Sequence, residues 1–195
     1  MENCQWAHGY IFIFIKSCFI IKVLSKLLIQ VKRKGLWMMM NENELNAIVK
    51  ECLLQHEGGE KFFDELDYRI RESITLLRGI MSKVIFSEES FDYIIVSGKF
   101  GYVFKEFAER EYPLFNVISI NGSLREGTVN EEFKGKDYKG KRFVFIDDSF
   151  YSGTTMNKVK EYVESCGGTF VSTFVFYDGS KEKREDVHGI YRYYD

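Results

Sequence analysis

One stretch limits the architectures open to this chain more than any other. Residues 142–164, RFVFIDDSFYSGTTMNKVKEYVE, place an apolar run, two adjacent carboxylates, a hydroxyl-rich turn and an amphipathic segment in immediate succession. Phe143, Val144, Phe145 and Ile146 read as a strand covered on both faces. Asp147 and Asp148 follow at once, where open α/β sheets place their ligands. Ser149, Tyr151, Ser152, Thr154 and Thr155 supply hydroxyls, and Gly153 lets backbone approach a ligand closely. A helix is predicted to start near Thr155, with Met156, Val159, Val163 and Cys166 on one face. Free N–H groups at such a helix start attract phosphate, and the helix dipole adds to the attraction. The aspartates are then better suited to accept hydrogen bonds from sugar hydroxyls than to face the phosphate. Other readings exist. An Asp-Asp pair after a strand also occurs in phosphoacceptor domains and metal-dependent phosphatases, and a Ser or Thr before a helix is often only a cap.

The same order recurs upstream. In residues 91–108, FDYIIVSGKFGYVFKEFA, Tyr93 to Val96 reads as a strand and Ser97-Gly98-Lys99-Phe100-Gly101 as a turn. Val103, Phe104, Phe107 and Ala108 give the helix after it a buried face. Without its neighbour this would be an ordinary strand–helix turn with a solvated lysine.

Composition narrows the classes. The chain has 195 residues, 45% of them hydrophobic and 16% aromatic, enough for one α/β domain with a substantial core. Cys4, Cys18, Cys52 and Cys166 form no CxxC pair, which argues against a zinc site or a disulfide framework and for a reducing, cytoplasmic setting. His8, His56 and His188 are too scattered for a metal cluster, and His188 is expected at the surface. The net charge of −2 is unevenly spread: residues 1–40 hold six Lys/Arg against Glu2, so the remainder is acidic. An acidic domain without a basic stripe is a poor nucleic-acid binder.

Joined together, the two strand–turn–helix units resemble type I phosphoribosyltransferases. The likeness rests on four apolar residues, two acidic ones and the turn, here DDSFYSGTT, with Lys139-Gly140-Lys141-Arg142 similar to the family's lead-in. The resemblance implies a single α/β domain with a mainly parallel twisted sheet flanked by helices. It also implies transfer of the phosphoribosyl group of phosphoribosyl pyrophosphate (PRPP) to a nitrogenous, nucleobase-like acceptor, with pyrophosphate released. Carried over by position, Asp147 and Asp148 would hold ribose, and Tyr151, Ser152, Gly153, Thr154 and Thr155 the 5′-phosphate. Ser97, Gly98, Lys99 and Gly101 would face pyrophosphate, Lys99 as the cation, in a loop that in the family often holds a cis peptide. Residues 121–139 would be the family's closing loop, with Arg125, Lys134 and Lys136 as candidate cations. The family uses Mg²⁺, bound mainly through PRPP oxygens and water, so no protein metal site is expected. Dimers are common in the family, so a homodimer is expected too. The pattern departs at Tyr151, where hypoxanthine-type members carry an acidic residue, and a Lys/His-rich loop of the orotate type is absent. Two other functions fit the same residues: a non-catalytic PRPP- or nucleotide-binding regulatory module, and a phosphate enzyme using the Asp pair as a metal site.

The remaining chain divides into a core at 91–195, a helical lead-in at 40–90 and an extension at 1–39. Helices are predicted over residues 43–55, with Leu45, Ile48, Val49, Cys52 and Leu53 inward, and from Phe63 through Leu66, Ile70, Ile74, Leu77 and Met81 after a break at Gly58-Gly59. By the resemblance they form part of a hood over the acceptor; otherwise they simply cover the sheet. Further strands are expected at Leu114–Ile120, Thr169–Tyr177 and Ile190–Tyr194. Residues 10–31 are apolar but interrupted by Lys16, Lys22 and Lys26, a poor membrane span and a weak signal peptide. They suit a basic amphipathic helix, or lie before a later start at Met38, Met39 or Met40. Mass spectrometry of the native protein tests the later start, which peptides from residues 1–37 would overturn.

Overall fold

Apolar runs rich in β-branched and aromatic residues fold as central strands when both of their faces can be covered. The structure, a computed structural model, describes residues 43–52, 60–120 and 136–194, all within one compact unit. In chain order its elements are α1 (residues 43–52), α2 (Glu60–Glu72), α3 (Ile74–Ile85), β1 (Tyr93–Ser97), α4 (Gly98–Glu111), β2 (Asn116–Ile120), β3 (Arg142–Phe150), α5 (Thr154–Ser165), β4 (Thr169–Asp178) and β5 (Val187–Arg192). The strands form one sheet in the order β2-β1-β3-β4-β5, and every neighbouring pair is parallel.

Alternate strand residues point to opposite faces, and the sheet accordingly carries two cores. Ile94, Val96, Val144, Ile146, Phe174 and Phe176 pack with the buried faces of α1, α2, α3 and α4. Ile95, Phe143, Phe145 and Val175 pack with Met156, Val159 and Val163 of α5. From β1 the chain winds outward through α4 to β2, and from β3 it winds the other way through α5 to β4. The carboxyl ends of β1 and β3 therefore flank a switch point, the crevice where open α/β sheets bind ligands.

Several boundaries differ from the sequence reading. The long helix expected from Phe63 to Met81 is two helices. Ser73 ends α2 and caps α3, its hydroxyl accepting from the Leu76 amide at 3.2 Å. Ile74, expected on the buried stripe, begins a new helix and is 48% exposed. β2 starts at Asn116, leaving Leu114 94% exposed, and the last strand begins at Val187, ahead of Ile190. His188 is half-buried rather than at the surface. It lies on β5 with its ring 4.9 Å from Phe174, and burial pushes its pKa down, with the Lys83 charge adding to that. Residues 1–39, Leu53, Gly58, Gly59, Arg125 and Lys134 lie outside the described residues, as does most of the expected closing loop. Among the described residues no helix is long and apolar enough to cross a membrane.

The turn after β1 is tighter than expected. α4 begins at Gly98 directly after the strand, with Gly98 at φ +63° and no cis peptide bond. Gly101 sits inside the first turn of α4, where a Cβ would lie 3.1 Å from the Val96 carbonyl carbon and 3.3 Å from Ser119 Oγ. Its lack of a side chain lets helix and strand pack closely. Gly101→Val is expected to destabilise the fold by about 1–3 kcal/mol through overpacking, read as a lower urea midpoint.

Candidate functional site

A strand that outruns one neighbour exposes its end unless the other neighbour continues with it. The last pairing of β3 with β1 is at Ile146, opposite Val96, yet β3 continues to Phe150 by pairing with β4: Asp147 with Val175, Ser149 with Tyr177 and Phe150 with Asp178. The sequence reading ended the strand before the aspartates. In the structure Asp147 and Asp148 belong to β3, on the stretch that overhangs the β1 end. Strand alternation then sends them to opposite faces. Asp147 and Ser149 line a cavity of about 580 Å³, whereas Asp148 is not part of its lining.

The rest of the cavity comes chiefly from the turn into α5. Phe150 is buried and anchors the turn, while Tyr151 is 60% exposed. Gly153 is the N-cap of α5 at φ +75°, and a Cβ there would lie 3.2 Å from Phe150 Cζ. Only glycine adopts this conformation cheaply against such a wall. A glycine cap has no side chain to accept from the helix, and the first intrahelical bond is from Asn157 N to Gly153 O at 2.9 Å. The amides of Thr155 and Met156 precede that bond and point out of the helix start. Thr154 N is 3.5 Å from Ser152 Oγ, and the Ser152 and Thr154 hydroxyls lie 2.9 Å apart. Outward amides, neighbouring hydroxyls and the helix dipole make an anion cradle.

The structure thus brings Asp147, Tyr151, Ser152, Gly153, Thr154 and Thr155 together around one cavity. It leaves Ser97, Gly98, Lys99 and Gly101 off that lining, although they follow β1 at the same end of the sheet. Ser97 is buried, and Lys99 is exposed at the start of α4. The lining also takes in residues the sequence reading missed: Phe63 and Asp64 of α2, and Thr173 and Val175 of β4. The Phe63 ring meets Tyr151 edge-on at 6.1 Å, so α2 walls the site as well as covering the sheet.

Charge at the site is concentrated and partly buried. Asp147 is held well above the usual carboxylate range, first by burial and then by the charge of Asp148. Asp148 is raised by burial as well, with its hydrogen bond to Asp147 pulling the other way. Of the two, Asp147 is the member pushed higher. A third carboxyl, Asp67 of α2, is felt by both and is raised by burial. Asp67 pairs with Arg71 at 3.0 Å, and the Lys99 charge also acts on it. Asp67 Oδ1 and Arg71 Nε are buried without a hydrogen-bond partner. An i,i+4 acid–base pair beside a buried stripe was the signal in the sequence that could have marked this position.

A raised carboxyl pKa has a definite sign in stability. The native state keeps a proton that the unfolded chain has released, so stability falls as pH rises above the ordinary aspartate value of 3.8. Asp147→Asn is expected to raise the urea midpoint near neutral pH and to flatten its decline as pH rises above about 4. A wild-type slope in the variant would show that Asp147 is not the strained group.

The phosphoribosyl transferase domain model matches residues 69–195, a span that holds all five strands. No curated protein matches the chain by sequence. Among solved structures the chain is similar to adenine phosphoribosyltransferase from Rhodothermus marinus, at 15% identity and TM-score 0.46 over 62% of this chain and 81% of that one. It is similar to adenine phosphoribosyl transferase from Trypanosoma brucei in complex with AMP, pyrophosphate and ribose-5-phosphate, at 19% identity and TM-score 0.44 over 57% of this chain and 56% of that one. UMP synthase from Leishmania donovani is similar at 21% identity and TM-score 0.49, over 66% of this chain but 29% of that one. With a family model spanning more than half of its length, the chain belongs to the phosphoribosyl transferase domain family.

Proposed function

We propose that this chain transfers the phosphoribosyl group of PRPP to a nitrogenous, nucleobase-like acceptor and releases pyrophosphate. One observation carries the reading: an uncapped helix start behind Gly153 and the carboxyl of Asp147 open into the same cavity. A phosphorylated pentose presents both complements, an anion at one end and hydroxyl donors at the ring.

In this reading the α5 amides and the hydroxyls of Ser152, Thr154 and Thr155 hold the 5′-phosphate. Asp147 accepts from the ribose hydroxyls, which favours its ionised form and offsets its strain in the free site, while Asp148, off the lining, bears on it through its charge. The phosphate anchors the sugar away from its reacting carbon, the usual use of remote binding energy. At C1 the bond to pyrophosphate breaks and takes its electron pair with it, the acceptor nitrogen supplies the pair for the new bond, and the acceptor proton departs. Lys99, beyond the end of β1, supports the departing negative charge, a role Arg125 would share. Tyr151 and Phe63 give the cavity mouth flat apolar walls suited to a heterocycle. Catalysis then rests on placement and electrostatics.

Magnesium fits this donor set. The carboxylates at the site are hard oxygen ligands, and Mg²⁺ takes one or two such groups while keeping phosphate oxygens and water. When bound, the ion would neutralise pyrophosphate charge beside Asp147 and Asp148.

Calorimetry with PRPP and Mg²⁺, followed by pyrophosphate-release assays across a panel of bases, tests the reading. Gly153→Val and Asp147→Asn are each expected to weaken PRPP binding at least about tenfold, or about 1.4 kcal/mol. Binding without release for any base would favour a regulatory module, and no binding by the wild type would overturn the proposal.

A further inference from the structure

A phosphate monoester carries about −1.5 to −2 charge at neutral pH. The cavity read above as its site is lined by Asp64 and Asp147 and, among the described residues, by no lysine or arginine. The start of α5 offers roughly half a positive charge. Amides and hydroxyls alone would leave a dianion facing two carboxyls, so a cation from outside the lining is needed.

The connection between β4 and β5 sets one against the turn. Arg184 Nη1 lies 3.8 Å from the point a Cβ on Gly153 would occupy. Its guanidinium carbon sits 5.9 Å from the centre of the Phe150 ring, the same ring that walls Gly153. The other side of the fork is fixed. Nε and Nη2 donate to the two oxygens of Asp186, each at 2.9 Å. The side chain is 40% exposed, so the group is pinned but not sealed. Glycine at 153 leaves about a methyl's width open between Nη1 and the phosphate turn.

We propose that Arg184 is a phosphate-binding residue of this site, reaching the 5′-phosphate across Gly153 while Asp186 holds its guanidinium in place. The inference rests on the phosphoribosyl reading of the cavity. It gives the phosphate a third side, a cation from the β4–β5 connection, beside the α5 amides and the hydroxyls of the turn. A guanidinium has five N–H donors and can serve Asp186 and a phosphate oxygen together. A purely structural Arg184 would only brace Phe150 and the turn through its pair with Asp186.

The two roles separate in a calorimetric titration with ribose 5-phosphate and, as a second probe, inorganic pyrophosphate. Arg184→Gln is expected to weaken ribose 5-phosphate at least about tenfold, the loss of one charge-assisted hydrogen bond. Pyrophosphate affinity should change by less than about twofold, and the salt dependence of ribose 5-phosphate binding should become shallower. Arg184→Lys should recover part of the loss, and it carries the comparison if the glutamine variant does not fold. Asp186→Asn should keep or tighten ribose 5-phosphate binding, because it frees the cation. Wild-type affinity in Arg184→Gln, or equal weakening in Arg184→Gln and Asp186→Asn, would overturn the inference and leave the phosphoribosyl reading standing. Failure of the wild type to bind either ribose 5-phosphate or PRPP would overturn both.

Discussion

The site depends on the continued pairing of β3 with β4 beyond the end of β1. Parallel strands are held in register along their length, and here the ladder from Asp147 to Phe150 keeps extended a stretch that would otherwise curl into the following turn. That extension carries Asp147 and Ser149 over the crevice at the switch point. It also delivers Phe150, buried and rigid, to the place where it backs the left-handed Gly153. Shortening the ladder would leave the carboxyls in a loop and the helix start without its wall.

Holding carboxyls there has a cost in stability. Asp147, Asp148 and Asp67 are gathered where burial disfavours their charges, and the cations within reach are Arg71, already paired with Asp67, and Lys99. Folded proteins tolerate such frustration mainly where a ligand relieves it. Hydroxyl donors from a sugar would do so, and so would a cation brought in with pyrophosphate. The orphaned Asp67 Oδ1 and Arg71 Nε belong to the same unsatisfied group.

How much of this could be read from the chain follows from the range of each interaction. The strand–carboxylate–turn–helix order at 142–164 is local, and both elements formed where expected. Phe143 to Ile146 is buried, and Gly153 stands at the helix start. The reach of β3 to Phe150 was not visible, because it is set by partners on β4 rather than by the polarity of DDS. The break at Ser73 was missed because the apolar spacing runs through it without interruption, and only the cap geometry divides the helices. Phe63 and Asp64 could not be assigned to the site from α2's own pattern, since what they face is fixed by how α2 lies on the sheet. The same holds for Arg184, which reads as one more charge in a solvated run until the β4–β5 connection folds beside Gly153.

The separation of α2 from α3 at Ser73 has a consequence for how such a chain can diversify. The family model begins its match at Arg69, near the end of α2, so Phe63, Asp64 and Asp67 stand outside the matched span. On the phosphoribosyl reading the sugar end of the crevice is built from the sheet and the α5 turn, while Phe63 and Asp64 of its wall stand on α2, which ends just before the Ser73 cap. Under the same reading, replacing that helix would recast the shape offered to an acceptor while the pentose grip stayed as it is. On that reading, acceptor selectivity and pentose grip would rest on separate parts of the chain.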